Sequence, residues 1–139
     1  MSTYGPLLED GSQTVAAANY SNTAGLSGPQ GSGQFMAVVV NSTGRTTAIA
    51  SAIGQQIYGI LQNKPTSGQA ADVGFIGISK ANAGGTIAAG AILMTNASGQ
   101  LIAWTAGSGY AQVGQALEAA VSGQIFTAYI WGAQPKVLT

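Results

Sequence analysis

Shifted by 55 residues, this chain falls on itself without a gap. Asn41 meets Asn96, Gly44 meets Gly99, Ala48 meets Ala103, Gly54 meets Gly109 and Gly59 meets Gly114. Ser67-Gly68-Gln69 meets Ser122-Gly123-Gln124, and Gly77 meets Gly132. These are 9 identities in the 37 pairs from position 41 to position 77, where composition alone gives roughly three. Apolar character follows the same offset, with Val38-Val39 on Leu93-Met94 and Phe75-Ile76 on Ile130-Trp131. The paired glycines fall where turns are expected, as a duplicated turn geometry requires. Each unit reads as a hairpin, a strand, a Ser-Gly-Gln turn and a strand. A unit of that size buries only one face, so two of them must pack together.

The strand signals support an all-β chain. Phe35 to Val40 is a run rich in β-branched residues, and Asn41-Ser42-Thr43-Gly44 supplies a turn before Thr46 to Ala50 resumes an extended pattern. This reads as a hairpin. Ile57 to Leu61 is a short strand that ends at Asn63-Lys64-Pro65, and Asp72 to Lys80 reads as one strand with bulges at Gly74 and Gly77. A second hairpin pairs Ala91–Thr95 with Gln100–Trp104 around Asn96 to Gly99, after a Gly/Ala linker from Ala81 to Gly90. Val113–Ala119 and Ile125–Trp131 complete the set. Ala48 to Ile57 and Val113 to Val121 are the only stretches with helical potential, and Gly54 and Gly114 weaken both.

Residues 1–33 differ from the rest, being rich in Gly, Ser, Asn and Gln with prolines at Pro6 and Pro29. They predict an extended N-terminal arm, with Tyr4, Leu7, Leu8 and Tyr20 as the anchors available to a partner. The expected architecture is a small β-barrel, β-tulip or sandwich over residues 34–139. Its repeats span about 36–80 and 91–135.

Composition narrows the function. Charged residues are 6% of the chain and the formal net charge is zero, against about 25% charged in an ordinary globular protein. Four scattered bases make no phosphate-binding footprint, so no nucleic acid is expected as a partner, nor an anionic membrane. Near-zero charge favours association, so much of the surface is expected to be covered by partners. The N-terminus lacks the basic and apolar regions of a secretory signal, and Ile87 to Met94 is far shorter than the ~20 residues of a bilayer span. A soluble, non-secreted protein is expected.

Catalysis is hard to place. The chain has no histidine and no cysteine, so it has no imidazole base and no thiolate or imidazole metal ligand. Its serines lack an activating base. Glu9 and Asp10 are adjacent but lack the spaced oxygens of a calcium loop. Gly84-Gly85 and Gly107-Ser108-Gly109 are followed by no Lys-Ser/Thr, so neither is a phosphate loop. The reading is a non-enzymatic protein with no cofactor and no metal.

The aromatic residues suggest surfaces instead. In the strand Ile125 to Trp131, alternation puts Ile125, Thr127, Tyr129 and Trp131 on one face and Phe126, Ala128 and Ile130 on the other. Both faces are largely apolar, which implies either a deep sandwich or a subunit interface. Trp104 and Trp131 sit at the ends of what read as neighbouring strands. With Tyr129 they are the candidate subunit-interface anchors.

Three segments carry a resemblance. They are Ile57-Tyr58-Gly59-Ile60-Leu61-Gln62-Asn63-Lys64-Pro65 with Gly68-Gln69-Ala70, then Gly77-Ile78-Ser79-Lys80 with Gly84 to Gly90, and Val113 to Ala120 ahead of the strand ending at Trp131. Over about residues 34–132 the chain resembles the capsid decoration, or cement, proteins of tailed bacteriophages. The resemblance implies a small β-barrel or β-tulip domain on the outside of the virion head, made in the host cytoplasm. It implies the major capsid protein as partner, whose neighbouring subunits it staples. It also implies self-association, with a trimer favoured and a dimer as the alternative. The arm role would fall to residues 1–33. Two other readings remain open. One is a host- or glycan-binding module, a head fibre or adhesin, using Trp104 with Gln100 or Gln112. The other is a self-assembling shell subunit.

Overall fold

The computed structural model describes residues 12–16, 33–40, 47–64, 70–106 and 109–131. All ten elements among them are strands: β1 (Ser12–Ala16), β2 (Ala37–Val40), β3 (Thr47–Ile49), β4 (Gly59–Leu61), β5 (Ala70–Gly74), β6 (Gly77–Asn82), β7 (Ile92–Thr95), β8 (Leu101–Ala103), β9 (Gly114–Ala116) and β10 (Ile125–Ile130). They form two antiparallel five-stranded sheets, ordered β1-β5-β4-β2-β3 and β6-β10-β9-β7-β8. The strand order is the same in both. The fold is all-β, with neither stretch of helical potential forming a helix. A single bridge from Ala83 to Leu101 ties the two edges of the second sheet, and neither sheet closes into a barrel.

The 55-residue offset carries β2 onto β7 and β4 onto β9 residue for residue. Hydrogen bonds follow it. Tyr58 N–H donates to the Val38 carbonyl as Val113 N–H does to that of Leu93, and Leu61 donates to Met36 as Ala116 does to Ala91. The Asn63 side chain accepts from Asp72 N–H as the Glu118 carboxylate accepts from Thr127 N–H. The turn that enters each unit is also shared. Phe35 stands at φ +67° where the second unit has Gly90 at +85°. A bulky residue in that region is strained.

Two sequence expectations change here. Asp72 to Lys80 is not one strand. Phe75 and Ile76 interrupt it, and Gly77 (φ +114°) starts β6 in the other sheet. The glycines read as bulges therefore mark the crossover between sheets. The segment 1–33 also contributes β1, an edge strand that pairs with β5 from Ser12 opposite Gly74 to Ala16 opposite Ala70. β1 takes the place in the first sheet that β6 takes in the second.

The core lies in layers. Met36, Val38, Ile49, Leu61, Ala71 and Val73 form a cluster on one face of the first sheet. Ala37 and Ile60, alternating with these along β2 and β4, face the other way. With Ala50 and Ile57 they join Leu93, Leu101, Val113, Phe126, Ala128 and Ile130 in a second cluster shared by both sheets. Polar bonds fasten the same junction. Ala37 N–H donates to the Gly99 carbonyl at 2.7 Å, Asn82 N–H to that of Phe35 at 3.1 Å, and Gly54 N–H to that of Thr95 at 2.8 Å.

Candidate interaction surface

Tyr4, Leu7, Leu8 and Tyr20 lie outside the described residues. The other three candidates belong to the second sheet. Trp104 follows β8 and Trp131 follows β10. These strands are not neighbours, because β9 and β7 lie between them. Both indoles turn to the segment that leads into β9. The Trp104 Nε1–H donates to the Tyr110 carbonyl at 3.0 Å, and the Trp131 Nε1–H donates to the Gln112 carbonyl at 3.2 Å. Each ring is half-buried. The two tryptophans thus hold the 110–112 segment from two strands, a role that strand alternation does not reveal.

Tyr129 is exposed and meets Trp131 edge-on, with ring centroids 6.2 Å apart at 63°. It opens onto a wider surface. Phe126, Ala128 and Ile130 point into the shared core, while Ile125 and Tyr129 on the opposite face are exposed. The strand is therefore covered on one face, not both. Register places Ile78 directly opposite Tyr129 on one side and Gln115 on the other, with Lys80 opposite Thr127. Leu117, next after β9, is also exposed, and its N–H bonds the Thr127 carbonyl. Ile78 is the most exposed of these, at 72%. Sequence reasoning missed Ile78, Leu117 and Ile125 as surface residues. The available signal was Lys80, two places from Ile78 and so on the same face of a strand.

Of the polar neighbours expected beside Trp104 in a glycan platform, Gln100 is already hydrogen-bonded elsewhere. The Gln100 amide donates to Asn82 Oδ1 at 3.0 Å and accepts from Asn96 Nδ2 at 3.1 Å, so it is committed to the 82–100 contact. Gln112 offers its carbonyl to Trp131. Among the described residues no group of three or more Asp, Glu, His or Cys could hold a metal.

The described charges, Lys64, Asp72, Lys80 and Glu118, are all exposed. Glu118 has a structural task. Hydrogen bonds from the Thr127 side chain and backbone hold its carboxyl below the ordinary value of 4.5. A lowered folded-state pKa gives stability that is present above the unfolded value and lost as pH falls through the folded one. Glu118→Gln is therefore expected to flatten the decline of melting temperature below about pH 4.5 and to leave the neutral-pH value nearly unchanged. Melting curves across pH 3 to 7, in the range where such carboxyls titrate, check this. An acid limb identical to wild type would contradict it.

No protein-family model and no curated protein matches the chain. Among solved structures it is similar to the head fiber gp8.5 N base of bacteriophage phi29, with a TM-score of 0.58 and 18% sequence identity over 92% of this chain and 98% of that one. At that identity the likeness is one of fold: this all-β, two-sheet chain shares its overall fold with that head fiber base.

Proposed function

We propose that the protein is a structural, non-catalytic component of the outer surface of a tailed-phage head, and specifically a decoration protein that staples neighbouring major capsid subunits. The observation that carries the reading is the likeness to the phi29 head fiber base, which runs through nearly the whole of both chains. The resemblance of residues 34–132 to decoration proteins points the same way, and so does the partly apolar outer face of the second sheet. A protein that binds the assembled lattice and not the loose subunit stabilises the shell by linkage. Self-association, with three copies favoured, would add multivalent hold on a lattice. Tyr4, Leu7, Leu8 and Tyr20 are the proposed arm contacts to the head.

A second reading is favoured by the same comparison: the chain is the base on which a head fibre is built. The two differ in what binding does to the head. The test is cosedimentation of the purified protein with mature heads that lack it, followed by heat release of the packaged DNA. Saturable binding with a raised release temperature is expected for a decoration protein. Saturable binding with no change in release supports the fibre base. No binding overturns both. Deleting residues 1–11, which spares β1, should weaken binding if the arm reaches the head.

A further inference from the structure

We infer that the chain joins a second copy of itself head to tail, the end of the β2–β3 hairpin of one copy seating at the start of β7 in the next. The inference deepens the self-association in the reading above, and rests on it, by assigning both surfaces.

The contact already exists once, inside the chain. The β7–β8 hairpin of the second unit seats at the start of β2 in the first. Two backbone bonds hold it there, from Ala37 N–H to the Gly99 carbonyl at 2.7 Å and from Gly54 N–H to the Thr95 carbonyl at 2.8 Å. The fit is close. A methyl group on Gly99 would lie 2.6 Å from Ile49 Cγ2 and 3.2 Å from the Ala37 carbonyl oxygen. Ala37, Ile49, Gly54, Thr95 and Gly99 are all buried, Thr95 at 0% exposure.

The repeat supplies both halves of this contact a second time and leaves them apart. At offset 55, Ala37 and Gly54 fall on Ile92 and Gly109, and Gly109 keeps the φ of +68° found at Gly54. Ile92 N–H and Gly109 N–H are therefore the counterpart donors, and among the described residues neither has an acceptor. Backbone N–H groups away from water are ordinarily paired. Both residues are half-buried where their counterparts are buried. On the other side, Val40 ends β2 where Thr95 ends β7. Val40 is 55% exposed, and the sequence after it carries Asn41 and Gly44 at the places of Asn96 and Gly99. One copy thus keeps an open socket on its second unit and an open hairpin end on its first. The two do not meet within the chain, so a second copy supplies the match. Such a contact is heterologous, and it closes into a ring or continues as a filament.

Sedimentation velocity over a concentration series, without heads, tests the inference. Val40→Lys charges the hairpin end, and Ile92→Lys charges the socket. Each alone should weaken self-association on the order of 100-fold, because the contact would bury an unpaired ammonium, while circular dichroism stays as in wild type. Val40 is exposed, so its variant separates lost association from lost folding. An equimolar mixture of the two should form pairs at concentrations where wild type associates. The intact hairpin end of the Ile92→Lys copy then meets the intact socket of the Val40→Lys copy. Ile78→Lys, at an exposed position on the outer face of the second sheet, should associate as wild type does. A wild type that stays monomeric, either single variant that associates as wild type does, or a mixture that fails to pair would overturn the inference. So would loss of association in Ile78→Lys, which would move the contact to the outer face. Cosedimentation of wild type with heads tests the functional reading separately. A monomer that binds heads sinks the inference and leaves that reading standing.

Discussion

Gly114→Ala should destabilise the protein by roughly 3 kcal/mol or more, at the upper end of overpacking effects. Gly114 sits in β9, the central strand of the second sheet, where a methyl group would fall on the Tyr129 carbonyl oxygen. Its counterpart Gly59 sits in the central strand of the first sheet, and a methyl group there would lie 2.6 Å from the carbonyl oxygen of Gly74. Gly74 and Tyr129 are themselves 55 residues apart, so the two units repeat one close backbone approach. Backbone cannot swing aside as a side chain can, which is why the cost is large. Gly123→Ala is the control. Its φ of +88° is unfavourable for a side chain, but a methyl group there meets nothing within 4 Å. The cost should be about 1 kcal/mol from the left-handed backbone alone. Urea unfolding of the two variants measures both. Equal costs would mean that the approach of β10 to β9 is looser than described.

The second large effect is expected at the junction of the sheets. Ile60 and Leu61 are consecutive and both 0% exposed, yet they point to different clusters. Ile60→Ala removes a side chain from the shared core, and Leu61→Ala removes one from the core of the first sheet alone. Each should cost about 2–5 kcal/mol. Because Ile60 and Ala37 pack with Leu93, Phe126 and Ile130 in one cluster, neither sheet is expected to keep its fold without the other. Both substitutions should therefore lower a single cooperative transition, seen alike by tryptophan fluorescence and circular dichroism. Trp104 and Trp131 both report on the second unit. If Leu61→Ala lowered the circular dichroism transition while tryptophan fluorescence kept the wild-type midpoint, the units would be folding independently.

The parts of the fold legible in the sequence were those that depend on local chemistry. The hairpin around Asn96 to Gly99 reads directly, because Asn96 Oδ1 accepts from Ser98 and Gln100 N–H groups and Gly99 takes a φ of +82°. Of the glycine matches at offset 55 that read as turns, Gly54 and Gly109 share a φ of +68°, whereas Gly59 and Gly114 lie inside central strands, where a close backbone approach and not a turn requires glycine. What stayed hidden depends on partners distant in the chain. Ser12–Ala16 is short and polar, and pairing with β5 makes it a strand. Gly77 looks like a bulge until the strands on either side of it are found in different sheets. The same limit applied to the candidate surface. Alternation correctly separated Phe126, Ala128 and Ile130 from Ile125 and Tyr129. It could not say which set was covered, because that depends on where the first sheet packs. Nor could it show that Trp104 and Trp131 hold the 110–112 segment by their indole N–H groups.

The most direct test of the central claim is to image heads that lack the protein before and after adding it. Electron cryomicroscopy of the reconstituted heads should show added density at regularly repeated positions on the outer surface, into which the two stacked sheets fit. Heads that are identical with and without the protein, at concentrations where it is folded, would contradict its assignment to the head surface.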